Sequence, residues 1–107
     1  MRIIRNNIIP CKGFKAINLF GVIFMRKNAE IDFITLQHET IHTAQMKETL
    51  YVFFYVWYVV EWLIRLIIYR DSKTAYRKIG FEREAYSSQT DEDYLLNRKP
   101  YNWIKYL

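Results

Sequence analysis

The chain has 107 residues, which is enough for one domain with a single core and too few for two. Its residues are 51% hydrophobic and 25% charged, which excludes a disordered or low-complexity protein. A single cysteine, Cys11, excludes an intramolecular disulfide, and the sixteen basic residues are scattered rather than clustered. We therefore expect one domain over residues 1–107 in a reducing compartment, with no nucleic acid partner.

The first thirty residues predict a small β-sheet. Residues 16–26 (AINLFGVIFMR) are rich in β-branched and aromatic side chains and contain Gly21, which predicts either one bulged strand or a tight pair of strands. Polar residues interrupt every apolar stretch of residues 1–21, so we expect no signal peptide. The expected location is cytoplasmic or peripheral to a membrane.

Long helices are predicted between Gly21 and Gly80, because this stretch contains neither glycine nor proline. Asp32 is the predicted N-cap of a helix that starts at Phe33. Polar residues then recur at helical spacing along one face of this helix, at Thr35, His38, His42, Gln45 and Thr49.

The segment from Leu50 to Tyr69 is apolar around its whole circumference except for Glu61 and Arg65. We predict a central helix, buried between the sheet, the preceding helix and the C-terminal helices. A pair of strands over 51–60 is the alternative, because this run also has high β-propensity. A domain of this size cannot easily cover such a helix, so we expect contact with a second copy, another protein or a membrane surface. The alternative is that aromatic-rich neighbours within the domain cover it fully.

Shorter helices are predicted in the last third of the chain, with a break at Gly80 and a helix over 81–87. The predicted start signals are Asp71 or Ser72, the capping pair Thr90 and Asp93 for a helix through Leu96, and Pro100 for a last turn through Trp103 and Ile104.

The two histidines of the chain lie four positions apart in His38-Glu39-Thr40-Ile41-His42, which matches the H-E-x-x-H motif. Residues four apart on a helix point into the same space, so both imidazoles can coordinate one Zn²⁺. Glu39 beside them suits the general base that deprotonates a metal-bound water. The alternative is a solvated polar face on which the motif is accidental.

A catalytic zinc needs a third protein ligand, and with no histidine left this ligand must be a carboxylate. The candidates are Glu82 and Glu84 in the stretch FEREAY, residues 81–86. The structural alternative for both is an exposed acid paired with Arg83 or Lys78.

H-E-x-x-H followed one helix later by E-x-x-A-x resembles the gluzincin metallopeptidases, and the short chain is similar to their one-domain minigluzincin-type members. The resemblance covers the middle and later half of the sequence. It implies an α+β, zincin-like fold, a zinc ion held by His38, His42 and Glu82, and hydrolysis of peptide or protein substrates with Glu39 as general base. It also implies that the strand before the active-site helix, within 17–26, offers its edge to an extended peptide.

The sequence departs from the family pattern at Tyr86, where an aspartate that orients a ligand histidine is expected. Another acid or a backbone carbonyl would then have to orient that histidine. Tyr86 or Tyr94 is the candidate phenol for stabilising an oxyanion. Two other functions stay open, a catalytically inactive zincin-fold binding module and a small membrane-associated protein.

Overall fold

The computed structural model describes residues 3–6, 16–27, 30 and 32–107. In chain order the elements are β1 Ile3–Asn6, β2 Ala16–Leu19, β3 Val22–Arg26, α1 Phe33–Glu48, α2 Val52–Tyr69, α3 Ser72–Lys78, α4 Gly80–Ser88, α5 Tyr94–Asn97 and a 3₁₀ turn Asn102–Tyr106. The predicted α+β class, with a small sheet before the helix that carries H-E-x-x-H, is confirmed. The expectations about Cys11 and about residues 7–15 lie outside the described residues.

The sheet has the strand order β1-β3-β2, with β2 antiparallel and β1 parallel to β3. Phe20 and Gly21 join β2 to β3 with positive φ angles of 53° and 88°. A two-residue turn with two positive φ angles matches the right-handed twist of paired strands, and glycine adopts the second angle without strain. Of the two alternatives for residues 16–26, the tight pair of strands is therefore correct.

The prediction that a strand within 17–26 offers an edge to a peptide is wrong for β3, the strand directly before α1, because β3 is the central strand of the described sheet and both its edges are paired. The edge strand of this hairpin is β2, and α2 already bonds to part of it. The Phe20 backbone N–H donates to the Tyr55 hydroxyl at 2.9 Å, and that hydroxyl lies 3.5 Å from the Asn18 carbonyl oxygen.

Helix α1 begins as predicted, with the Asp32 carboxylate accepting from the Thr35 backbone N–H at 2.7 Å. Its inner face is tied to the sheet by Asn18, whose amide nitrogen donates to the Glu39 carbonyl and to the Thr43 hydroxyl, both at 2.7 Å. This contact fixes the turn of α1 that carries the H-E-x-x-H motif against β2.

The hydrophobic core lies where α1, α2, α4 and the C-terminal turn meet. Its buried members are Met46, Phe54, Ile79, Phe81 and Trp103. The Phe81 ring lies 4.5 Å from the ring of Phe54 and 4.6 Å from that of Trp103, measured between centroids. Stacked and tilted aromatic pairs of this kind add to the free energy gained by apolar burial. The core therefore anchors α4 directly beside the histidines of α1.

Helix α2 corrects the prediction for Leu50 to Tyr69 in one respect. The segment is helical from Val52, so the two-strand alternative is wrong, but the helix is not centrally buried: of its 18 residues only Phe54 and Glu61 are buried. The remaining elements of so short a chain pack against one side of α2 and leave the other side exposed. Among the described residues, α2 is the one helix long and apolar enough to cross a membrane.

The last third of the chain follows the predicted order of helices. Asp71, rather than Ser72, caps α3 by accepting from the Thr74 backbone N–H at 3.0 Å. The extended backbone of Ile79 separates α3 from α4, so the break falls where predicted, next to Gly80. The predicted capping pair Thr90 and Asp93 is wrong, because α5 begins only at Tyr94, beyond both residues, and has no side-chain cap.

Candidate metal centre

Three buried side chains from two helices converge on one point, and we call this group the metal centre: His38 and His42 on α1, and Glu82 in the first turn of α4. Glu82 Oε1 lies 3.1 Å from His38 Nε2 and 3.0 Å from His42 Nε2. Among the histidines, cysteines and acids that the structure describes, these three residues form the group whose possible ligand atoms all lie within 4.8 Å of one another. The structure thus brings together the three residues predicted as ligands.

The outer nitrogens of both imidazoles are held by glutamine side chains. His42 Nδ1 lies 2.7 Å from Gln45 Oε1, and His38 Nδ1 lies 2.8 Å from Gln89 Oε1. The expectation that an acid or a backbone carbonyl would orient a histidine is therefore wrong, since neutral amide oxygens do so. Gln89 was missed because its contact spans 51 positions of sequence, whereas Gln45 shares the polar face of α1.

The orientation of the Gln45 amide settles which nitrogen of His42 carries a proton. Gln45 Nε2 donates to the Phe81 carbonyl at 3.0 Å and to Glu84 Oε1 at 2.9 Å, so its oxygen must face His42. His42 Nδ1 is then the donor to that oxygen, and in the neutral ring Nε2 carries a lone pair directed at Glu82.

Lone pairs of the imidazoles and a carboxylate at this distance repel one another unless a cation lies between them. Without a metal, protons supply the charge: burial lowers the pKa of His42, but the Glu82 carboxylate outweighs burial and raises that pKa to about 9. Burial likewise raises the pKa of Glu82, but the charge of His42 and the histidine hydrogen bonds bring it well below its usual range. The same atoms suit a divalent metal, whose tetrahedral ligand atoms lie roughly 3.3 Å apart at zinc-like bond lengths.

Tyr58 of α2 completes the surroundings of Glu82. Its hydroxyl donates to Glu82 Oε2 at 2.6 Å, and burial together with that carboxylate raises the pKa of Tyr58, which keeps the phenol protonated. Sequence reasoning missed this residue because it lies inside the most apolar run of the chain. Its only signal was helical spacing, which places Tyr58 on the same face as Phe54 and Glu61.

The two phenols predicted to act at the site have other contacts. The Tyr86 ring packs edge-on against the His38 ring at 4.5 Å between centroids, and its hydroxyl lies 3.1 Å from that of Tyr76. The Tyr94 hydroxyl donates to Glu84 and accepts from the Asn102 amide. Tyr86 therefore shields a ligand ring, whereas Tyr94 supports Glu84.

Glu39, the predicted base, follows His38 directly and is partly exposed, whereas the three side chains of the metal centre are buried. Burial raises the pKa of Glu39, which outweighs the lowering by the charges of His42 and His38. A carboxylate with a raised pKa accepts a proton more readily near neutral pH, as a general base must.

Glu84, the rival third ligand, is fully buried and points away from the metal centre into an ion network. Its Oε2 accepts from Arg98 Nε at 2.6 Å, and Arg98 also donates to both oxygens of Glu48. The structural alternative of an exposed acid paired with Arg83 or Lys78 is wrong for both Glu82 and Glu84. Glu84 instead accepts a hydrogen bond from Gln45 and thereby fixes the amide that orients His42.

Glu61 explains why α2 carries a buried acid. Its Oε1 accepts from the Gly80 backbone N–H at 3.1 Å and from Trp57 Nε1 at 3.1 Å, and Arg65 pairs with its other oxygen. A carboxylate at the first residue of a helix bonds an N–H group that has no partner within the helix. Glu61 thereby fixes the start of α4, two residues before Glu82.

The contacts above define a buried His-His-carboxylate group with a partly exposed glutamate beside it. Comparison of this chain with protein-family models, with curated proteins and with solved structures finds no match. The functional conclusion therefore depends on the geometry and on the H-E-x-x-H motif.

Proposed function

We propose that this protein is a zinc-dependent hydrolase with a zincin-like fold that cleaves peptide bonds, with His38, His42 and Glu82 as zinc ligands. The observation that carries the proposal is the approach of Glu82 Oε1 to within 3.1 Å of both Nε2 atoms. Two imidazoles and one carboxylate form a ligand set known for catalytic zinc, which leaves a position for water.

We assign zinc to this set because two histidines from an H-E-x-x-H helix with one further glutamate are a ligand set of catalytic zinc. When bound, zinc supplies a Lewis acid that polarises a carbonyl and acidifies a water. In the described part of the chain, the group of histidine, cysteine and acid side chains whose ligand atoms all lie within 4.8 Å of one another consists of these three residues. A fourth coordination position is then available for water.

Four other residues of the site would have separate roles in the reaction. Glu39 accepts the proton of the attacking water and passes it to the leaving amine. Gln45 and Gln89 hold the outer nitrogens of the imidazoles, which leaves both Nε2 atoms to hold the metal when it is bound. Tyr58 holds the second oxygen of Glu82 and thereby leaves Oε1 directed at the histidines.

A catalytically inactive zinc-binding module is the second candidate, and one observation favours it. The three ligands are only 4–8% exposed, with the Tyr86 ring against His38 and the Phe54 ring 5.9 Å from that of His42. A substrate carbonyl must reach the metal past these rings. Such a module would bind zinc with the same ligands and leave Glu39 without a catalytic role.

The two candidates differ in turnover, so one set of variants separates them. We expect untagged protein, Glu39→Gln and the exposed-acid control Glu92→Gln to carry about one zinc per chain by mass spectrometry of the metal. With a library of quenched fluorescent peptides, wild type and Glu92→Gln should cleave, while Glu39→Gln loses roughly 10² to 10⁴ in rate.

If the wild type binds zinc but cleaves none of the peptides, the inactive binding module is the remaining candidate. Absence of zinc from the wild type, or its full retention in His38→Ala and His42→Ala together, would overturn both candidates.

A further inference from the structure

The exposed side of α2 carries an apolar surface that no described element covers. We call it the apolar face of α2. Its nine exposed residues are Val52, Phe53, Val56, Val59, Val60, Leu63, Ile64, Ile67 and Ile68. At about 100° per residue these positions cover roughly half of the helix circumference. A continuous apolar surface of this kind, unlike scattered exposed residues, indicates a binding surface.

The other half of α2 faces the protein and is chemically distinct. It carries Phe54 in the core, Tyr58 on Glu82 and Glu61 on the Gly80 backbone. The single acid of the helix, Glu61, is buried and paired with Arg65. The exposed half therefore carries no acidic group.

Basic side chains adjoin the C-terminal end of this surface. We call them the basic cluster: the exposed residues Arg70, Lys73 and Lys78. Arg77 is also exposed, but its guanidinium stacks on the Tyr86 ring at 3.7 Å from the ring centre, so it is not part of this cluster. Lys78 Nζ lies 5.7 Å from the centre of the Tyr69 ring, which places Lys78 beside the last turn of α2, and Arg70 follows that turn directly. The one acid of this stretch, Asp71, is engaged in capping α3. An apolar helix face next to basic residues is complementary to lipid chains and anionic headgroups.

We propose that the apolar face of α2 docks in the plane of an anionic membrane surface, with the basic cluster contacting lipid headgroups. A second copy fits less well, because a helix pair uses a narrow seam of about two residues in seven, whereas this face covers half the helix. A simple span also fits less well. It would expose to lipid the half of α2 that bonds Glu82 and Gly80. It would also separate α1 from α4, which lie before and after α2 in the chain and meet where His38 and His42 contact Glu82.

Vesicle flotation tests the proposal without depending on hydrolase activity. We expect the protein to float with vesicles of phosphatidylcholine and phosphatidylserine, and more weakly with phosphatidylcholine alone. The double variant Val60→Asp/Ile64→Asp should bind more than about tenfold more weakly. The matched control Leu96→Asp, at a position 85% exposed outside α2, should bind as the wild type does.

The basic cluster is tested separately. Lys73→Gln and Lys78→Gln should each lower affinity for anionic vesicles by about fivefold and leave the weak binding to neutral vesicles unchanged. Equal thermal melting of every variant, measured without lipid, shows that the fold is retained.

Three results would overturn the proposal. One is that the wild type binds neither kind of vesicle, or that Val60→Asp/Ile64→Asp binds as tightly as the wild type. Another is a lipid-free dimer in gel filtration that Val60→Asp/Ile64→Asp dissociates, which would make a second copy the occupant. The third is resistance of the cellular protein to alkaline extraction, which would indicate a span.

Discussion

The hydroxyl of Tyr58 lies 2.6 Å from Glu82 Oε2, so a residue of the most apolar helix orients a proposed metal ligand. Tyr58→Phe removes this hydrogen bond and keeps the ring. We expect zinc affinity to fall by roughly 10- to 100-fold, as for other residues that orient metal ligands. Competition with a chromogenic chelator measures the affinity. Tyr69→Phe, on the same helix but exposed, is the control, and an equal affinity in both variants would exclude this role for Tyr58.

The identity of the carboxylate ligand is tested by comparing two acids of α4. Glu82→Ala removes the oxygen nearest both histidines and should abolish stoichiometric zinc, as should His38→Ala or His42→Ala. Glu84→Gln keeps the side-chain volume in the ion network and should retain most of the zinc. Metal content after dialysis measures the difference, and the opposite ranking would assign the ligand to Glu84.

The buried network around Arg98 is expected to matter for stability rather than for chemistry. Arg98→Met leaves the carboxylates of Glu84 and Glu48 without their shared cation, and Glu84 has a side chain with no exposed surface. Breaking a buried pair in this way costs about 3–5 kcal/mol. Urea unfolding of the metal-free protein measures the loss, with the exposed neighbour Lys99→Met as control. A loss below about 1 kcal/mol would show that the network contributes little.

The metal-free protein should lose stability as the pH rises from about 6.5 through about 9. The Glu82 carboxylate raises the folded-state pKa of His42 to about 9, above the value of about 6.5 in an unfolded chain. The folded state then binds the proton more tightly, so its contribution is complete below about 6.5 and disappears as pH passes the folded-state pKa. Urea unfolding midpoints, measured at a series of pH values with a chelator present, give the stability of the metal-free protein as a function of pH. This dependence on pH should be weaker in His42→Gln. A wild-type profile that is already flat would contradict the raised pKa.

Local spacing was sufficient to predict the parts of the metal centre that lie on one helix. The four-residue interval placed His38 and His42 on one face of α1, and Asp32 marked where that helix begins. The choice of Glu82 over Glu84 required the E-x-x-A-x pattern, because both acids lie on the same short helix.

Contacts between distant segments could not be predicted in this way. Tyr58 reaches Glu82 across 24 positions, and Gln89 reaches His38 across 51. Such pairs are set by how whole helices pack, which no local pattern encodes. The burial of α2 was mispredicted for a related reason. An apolar sequence predicts that a helix is removed from water. Whether the rest of the protein covers it depends on how many other helices and strands the chain can form.

The guanidinium of Arg98 also has a consequence for the order in which the protein is assembled. It joins Glu48 across 50 positions and Glu84 across 14, so both acids leave the ribosome before their cation does. Until Arg98 is synthesised, burying these acids carries a desolvation penalty that no cation offsets, and only the hydrogen bonds from Gln45 and Tyr94 reach Glu84. Glu84 in turn bonds Gln45, the residue that orients His42. The H-E-x-x-H motif is thus supported by a cation that the ribosome adds long after the motif itself.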